Sequence, residues 1–298
     1  MNEIPTVLIS GGSGMIGQRL TEKLKASGFR PIILSRKIDH LSADTFYWNP
    51  DEGIIDHNAL KDTRILIHLA GASIAGKRWT EEYKRELADS RIIPTEFLIN
   101  ALKKFPNRIH TVIASCAVGY YGDRADEVLT EESAPGNTFM ARLSVQWENA
   151  VKGFETDSRR LCILRTGVVF DNNGGFLKTV KTPVKLLGAA PMGNGKQYVS
   201  WIDHEDVTGI MLHLIKHNEL HGVFNAVAPN PVTNKELMKT LAKFFHRPFI
   251  NIPIPSILLK TVLGEKSAVI LESQRVSAEK ILRSGYVFQK TDAAQLAV

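Results

Sequence analysis

A doubly wound α/β fold, with a parallel sheet and a smaller C-terminal α+β lobe, is what this sequence predicts, on three observations. Short apolar runs alternate with amphipathic stretches through the first half. Those runs are nearly continuous in their apolar character, the pattern of parallel strands buried on both faces. After about Gly174 the alternation gives way to segments punctuated by Gly and Pro, which marks the second lobe.

Taken in order, residues 6–10 read as a strand, 14–27 as a helix, 31–35 as a strand and 46–48 as a short strand. Residues 65–70 form a fourth strand. A helix over 80–104 follows, with Thr80 as N-cap and Glu81–Glu82 in its positive first turn. Pro94 should kink or divide it. Strands at 110–115 and 161–166 flank a helix at 138–154. Beyond them come a Gly-rich loop at 187–197, a strand at 198–202, a helix capped by Asp203 and a strand at 223–227. Residues 1–175, with sheet contributions from about 198–228, are expected to form one domain and 176–298 a smaller substrate lobe.

The 298 residues are 44% hydrophobic and 23% charged, which excludes disorder, collagen and coiled coil for the whole. Cys116 and Cys162, the two cysteines, sit in apolar runs and read as buried thiols of a reducing compartment. No apolar stretch reaches the ~20 residues of a membrane helix. The N-terminal residues, with Glu3 and Pro5 ahead of a strand, do not read as a signal peptide. A cytoplasmic protein is expected. The net charge of +6 is interleaved with acids and does not imply nucleic acid.

Ser10-Gly11-Gly12-Ser13-Gly14-Met15-Ile16-Gly17 joins the first strand to the first helix. Gly11, Gly14 and Gly17 have the spacing of a dinucleotide fingerprint: a tight turn, close backbone approach to a pyrophosphate, and tight helix–strand packing. The helix N-terminus adds unpaired N–H groups and partial positive charge. A Rossmann domain follows from this turn. NAD sites place a carboxylate after the second strand to hold the ribose 2′-OH. Here that position reads Ser35-Arg36-Lys37, with Asp39 beyond the strand, which suits the 2′-phosphate of NADP.

Further motifs carry a resemblance. They are His68-Leu69-Ala70-Gly71, Arg78-Trp79-Thr80, Ser90-Arg91 with Thr95, Ser115, and Ala117-Val118-Gly119-Tyr120-Tyr121-Gly122. Trp147-Glu148, Leu164-Arg165-Thr166-Gly167-Val168-Val169 and Ser200-Trp201-Ile202 with Asp206 continue it. Asn225 with Ala228-Pro229, and Gln274-Arg275-Val276, complete it. With these motifs the chain resembles the extended short-chain dehydrogenase/reductases, in their atypical nucleotide-sugar-epimerase-like branch. The resemblance implies a Rossmann domain binding NADP(H), a smaller C-terminal lobe and substrate between them. It also implies a terminal module of unassigned function at about 245–293. The implied cofactor contacts are Gly11, Gly14, Met15, Ile16 and Gly17 at the phosphates, and Ser35 and Arg36 at the 2′-phosphate. Leu69, Ala70 and Gly71 would line the adenine side. Glu86 and Arg91 lie on the helix crossing the cofactor, and Val168 beside the nicotinamide.

Ordinary members use a Tyr-x-x-x-Lys pair on one helix face, where the ammonium lowers the phenol pKa. Counting back from Glu148, those positions are Met140 and Ser144. The pair Tyr286 and Lys290 lies far downstream and reads as coincidence. Ser115 and Tyr120 are the remaining catalytic candidates, against a strand-end hydroxyl and aromatic loop packing as the structural readings. Arg78 and Arg165 are candidate substrate anchors, and Trp201 a candidate stacking surface. His213, His217 and His221 lack an accompanying glutamate and read as surface histidines, with no metal. The expected function is an NADP(H)-dependent oxidoreductase or epimerase acting on a small polar substrate of nucleotide-sugar type. A non-catalytic NADP(H) sensor or scaffold, in a cell-division-type role, is the alternative. A homodimer stays open.

Overall fold

A computed structural model describes residues 4–37, 39, 42–171 and 174–297. Its strands begin with β1 (Thr6–Ser10), β2 (Arg30–Ser35), β3 (Thr45–Asn49), β4 (Ile54–Ile55), β5 (Thr63–His68) and β6 (Thr111–Ala117). They continue with β7 (Val128–Leu129), β8 (Arg160–Thr166), β9 (Val168–Asp171) and β10 (Tyr198–Val199). β11 (Trp201–Asp203), β12 (Gly222–Ala226), β13 (Val232–Thr233) and β14 (Arg275–Val276) complete the set. Eight of these form one sheet in the order β12-β8-β6-β5-β1-β2-β3-β4. All neighbours in it are parallel except the β3–β4 hairpin.

The helices are α1 (Met15–Ala26), α2 (Asn58–Lys61), α3 (Glu81–Lys104), α4 (Phe139–Val151) and α5 (Gly175–Leu187). α6 (His204–Lys216), α7 (Asn234–Phe244), α8 (Ser256–Leu263), α9 (Ala268–Leu271) and α10 (Glu279–Arg283) follow. Successive strand residues point to opposite faces, and each face has its own core. Val7, Ile9, Ile65 and Ile67 pack with Leu20 and Leu24 of α1 and Ile210 and Leu214 of α6. Leu8, Leu66 and Val112 pack with Leu98 and Leu102 of α3 and Val151 of α4. Burial on both sides is the reason that the strands read as unbroken apolar runs.

From β1 the chain builds outward through β2 and β3, then returns to lay β5, β6, β8 and β12 on the other side. The reversal falls between β1 and β5, and opens a crevice at their carboxyl ends. Ser10 and His68 stand opposite one another there.

Short elements absent from the sequence reading, such as β4, β7 and β9, are added, and three longer segments differ from it. α3 runs undivided through Pro94. Its buried stripe of Leu87, Arg91, Thr95 and Leu98 holds the backbone in register across the lost hydrogen bond. The 198–202 segment splits at Ser200, whose hydroxyl donates to Gln274 O at 2.7 Å and accepts Val276 N–H at 2.9 Å. β10 then pairs with β13, and β11 with β9. Third, α5 forms where no helix was expected; Gly174 precedes it, no side chain caps it, and Pro183 lies inside it.

Phe170, Trp201, Leu237 and Leu241 centre the core of the second lobe. The end of the chain then returns to the first domain. β14 pairs with β7, and Asp206, fully buried at the start of α6, accepts bonds from three groups of one segment. These are Tyr286 Oη (2.9 Å), Gln289 N (2.8 Å) and Lys290 N (3.0 Å). Lys290 Nζ reaches Asp203 at 2.9 Å. The downstream Tyr-x-x-x-Lys is thus a clamp on α6.

Replacing Asp206 with Ala removes the shared acceptor of these three part-buried bonds. Asp206→Ala should lower unfolding stability by about 2–4 kcal/mol in urea titration; a loss below about 1 kcal/mol would contradict the clamp.

Candidate functional site

The turn between β1 and α1 closes tightly, with Gly14 N–H bonded to Gly11 O at 3.0 Å. Gly11 has φ +75°, and a Cβ on it would lie 2.8 Å from the Leu69 carbonyl. A Cβ on Gly17 would lie 2.5 Å from Gly11 O and 2.6 Å from Gly12 Cα. Only glycine fits both positions. Gly14 caps α1 with extended backbone, no side chain caps the helix and no acid occupies its first turn. The N-terminal N–H groups of α1 are therefore open to an anion. Met15 packs on Gly174 and Gly175 at the entrance to α5.

His68 joins the two sides of the crevice. Its Nδ1 lies 2.6 Å from Ser10 Oγ and its Nε2 2.9 Å from Thr95 Oγ1. Because Thr95 donates to Arg91 O, Nε2–H is the donor to Thr95, and Ser10 donates to Nδ1. Burial holds the imidazole neutral, with its pKa lowered to about 4. His68 positions β1, β5 and α3; it is not a free acid or base.

Arg91, one turn before Thr95, is buried against Gly71. Nη1 donates to Leu87 O at 2.8 Å and Nη2 to Ala72 O at 3.1 Å, while the guanidinium lies 4.9 Å from the Trp147 ring centre. Its partners are neutral, and among the described residues no carboxylate pairs with it. Burial lowers its pKa from the usual arginine value. A buried cation without a counter-ion is a ready site for a phosphate oxygen. Glu86 lies apart from it, exposed and paired with Lys77 at 2.9 Å.

At the end of β2, Ser35 Oγ accepts Lys37 N–H at 3.1 Å and Arg36 is exposed. Leu69, Ala70 and Gly71 continue from β5, and Leu69 N–H bonds Ser10 O at 3.0 Å. Val168 opens β9 beside Gly167, where a Cβ would meet Ser200 O at 2.6 Å. The predicted cradle residues thus share the carboxyl rim of neighbouring strands, with Val168 farther along it.

The predicted catalytic and substrate residues do not gather in the same way. Ser115, buried near the end of β6, bonds Thr166 Oγ1 at 3.0 Å. Tyr120 lies under the Arg165 guanidinium, 3.5 Å from ring centre to Cζ. Arg165 is itself buried, pairs with Glu148 at 2.8 and 2.9 Å, and donates to Tyr121 Oη at 3.0 Å and Glu131 O at 3.1 Å. That leaves no fork for a substrate, which corrects the expectation for Arg165. Trp201 is fully buried, donates to Asn230 O at 3.0 Å and packs on Phe170, so its ring offers no stacking face. Arg78 alone of the three is exposed, lying against Gly264 of the terminal module. Burial raises the Cys116 thiol well above its usual range, which removes it as a nucleophile. Tyr121 donates to Asn225 Oδ1 at 2.6 Å, and burial pushes its phenol up to about 12.

Met140 and Ser144 are buried on α4 where it faces Gly119. The face expected to carry a phenol and an ammonium is therefore in the expected place with other side chains on it. Met140 also lines a cleft of about 490 Å³ between the N-terminus of α4 and the α8–α9 region. Asp123, Thr138, Lys260, Glu265 and Glu272 are its polar and charged walls. Sequence reasoning missed them because residues distant along the chain are brought together by the β7–β14 return and by the Glu265–Lys84 pair. The nearest signal was Gln274-Arg275-Val276, just past Glu272.

Compared with known proteins, the sequence matches the NAD dependent epimerase/dehydratase family over residues 7–226 and a domain of unknown function over 254–295. An epimerase family protein of Mycobacterium bovis is 34% identical over 283 residues, covering 95% of this chain and 93% of that one. The crystal structure of human epimerase family protein SDR39U1 with NADPH superposes with TM-score 0.88 at 31% identity, covering 98% of this chain and 97% of that one. A nucleoside-diphosphate sugar epimerase from Corynebacterium glutamicum matches with TM-score 0.78 at 32% identity, covering 99% of this chain and 57% of that longer one.

The assignment of Arg165 as a structural cation is open to direct test. Glu148→Ala strands that charge and should lower unfolding stability by about 3–5 kcal/mol in denaturant titration. A change under about 1 kcal/mol would return Arg165 to the list of available anion anchors.

Proposed function

The chain belongs to the NAD dependent epimerase/dehydratase family, and on that premise we propose that it is an NADP(H)-dependent oxidoreductase or epimerase of small polar substrates. The observation that carries the proposal is the anion cradle at the β1–β5 switch point. There a glycine turn that excludes any Cβ, an α1 N-terminus free of acids, and the buried, neutrally partnered Arg91 converge. That set of groups fits a dinucleotide, which supplies a hydride acceptor or donor when bound.

In this reading Gly11, Gly14, Met15, Ile16 and Gly17 hold the pyrophosphate by backbone N–H groups. Arg91 neutralises an oxygen of the phosphates or ribose. Leu69, Ala70 and Gly71 wall the adenine side, and Val168 limits the nicotinamide end. Ser35 and Arg36 select the 2′-phosphate, since a hydroxyl and an exposed fork stand where an NAD site would carry an acid. Glu86 has its charge engaged by Lys77, so its part is to hold the 71–80 loop against α3. Residues 1–175 with 198–228 form the cofactor domain and the rest the substrate lobe. Substrate enters the cleft under Arg78, whose 490 Å³ suits a small ligand. The likeness to a nucleoside-diphosphate sugar epimerase supports the sugar-nucleotide class.

NADPH should raise the melting temperature more than NADH at equal concentration, because only NADPH offers the phosphate that Arg36 recognises. Arg36→Asp should abolish or reverse that order. Equal stabilisation of the unaltered protein by both coenzymes would reject the selectivity reading.

A further inference from the structure

The reaction read above moves a proton as well as a hydride, and α4 offers Met140 and Ser144 where a phenol and an ammonium would stand. We propose that the terminal module supplies the missing group, with the Glu272 carboxyl as the general acid–base residue of the cleft and Asp123 tuning it. This inference rests on the cofactor reading of the preceding section.

Glu272 caps α9, its N–H bonded to Ala268 O at 2.9 Å. It lines the same cleft as Met140 and Thr138, so the carboxyl and the register position of the absent phenol open on one cavity. Asp123 is held beside it from the other domain. Its Oδ1 accepts the N–H of Ser273, the residue after Glu272, at 3.1 Å, and Arg124 N–H bonds Ser273 O at 3.0 Å. Two acids on one wall resist joint ionisation. Burial first, and the Asp123 charge with it, push the Glu272 carboxyl up to about 7, with the Thr138 hydroxyl pulling the other way.

The other charged groups at the cleft do not cancel this. Glu265 is paired with Lys84 at 2.5 Å, and Arg124 turns its fork to Glu127 at 2.7 Å. Lys260 is an exposed cation on the α8 wall. A carboxyl half-protonated near neutrality can give or take a proton in the same site. In the reducing direction a substrate carbonyl carbon accepts hydride from the reduced nicotinamide while its oxygen takes the Glu272 proton. The C=O π bond is replaced by C–H and O–H, and water in the open cleft reprotonates the carboxylate. Oxidation reverses each transfer: the carboxylate takes the hydroxyl proton as hydride passes to the oxidised nicotinamide.

Infrared titration of the protein without coenzyme follows the protonated-carboxyl band in the unaltered chain, Glu272→Gln and Asp123→Asn. One carboxyl should titrate at about pH 7 in the unaltered chain, against ~4.3 for a free glutamate. It should vanish in Glu272→Gln and move down in Asp123→Asn, whose amide oxygen keeps the Ser273 bond. A midpoint near the free value overturns the proposal.

Tritium transfer from labelled NADPH into a pool of carbonyl compounds and sugar nucleotides tests the role itself. Glu272→Gln should lose about 100-fold or more in rate, with NADPH affinity held within about twofold. Asp123→Asn should stay active with its pH profile displaced downward. Undiminished transfer by Glu272→Gln overturns this inference alone. NADPH binding with no transfer by the unaltered protein overturns the enzymatic reading and this inference with it.

Discussion

The contact on which the rest depends is the one between the loops that leave β1 and β5. Gly11 and the Leu69 carbonyl approach so closely that no side chain fits between them, and Leu69 N–H closes the gap by bonding Ser10 O at 3.0 Å. His68 ties the same two strands to α3 through Ser10 and Thr95. With these three elements locked, the open N-terminus of α1 is held at the crevice and Arg91 packs against Gly71 just past the end of β5. The imidazole serves here by staying uncharged, as the low dielectric around it requires.

Much of this was legible in the sequence because it is local. The glycine spacing, the strand ahead of it and the helix after it lie within residues 6–26, and their geometry follows from backbone sterics. The continuous apolar strands announced a sheet covered on both sides, since Val7 and Ile9 pack on one face and Leu8 on the other. Long-range partners were not legible. Arg165 at a strand end reads as a cleft arginine until Glu148, on the preceding helix, is found to occupy its fork. Trp201 reads as a stacking surface until Phe170 and Asn230 enclose it. The carboxyls of the cleft carry no sequence signal of their own, because Asp123 and Glu272 meet only when β14 pairs with β7.

The terminal module is therefore more than an appendage. Among its attachments are the β7–β14 pairing, the Tyr286–Lys290 segment on Asp206 and the Glu265–Lys84 ion pair. Ahead of the first two along the chain, α8 and α9 line the cleft together with Thr138 and Met140. The α4 face that carries Met140 and the module that carries Glu272 line the same cavity. Polar groups buried at both attachments, such as Ser200 between Gln274 and Val276, fix the orientation as well as the contact.

Calorimetric titration of NADPH into the protein and its Gly17→Ala variant tests the central claim most directly. The added methyl would sit 2.5 Å from Gly11 O and 2.6 Å from Gly12 Cα, in van der Waals conflict with the turn itself. The account predicts that NADPH binds the unaltered chain. It also predicts at least about a tenfold weakening, or 1.4 kcal/mol, in the variant, with an unchanged circular dichroism spectrum. Equal affinity in the two proteins, or no binding by either, would contradict it.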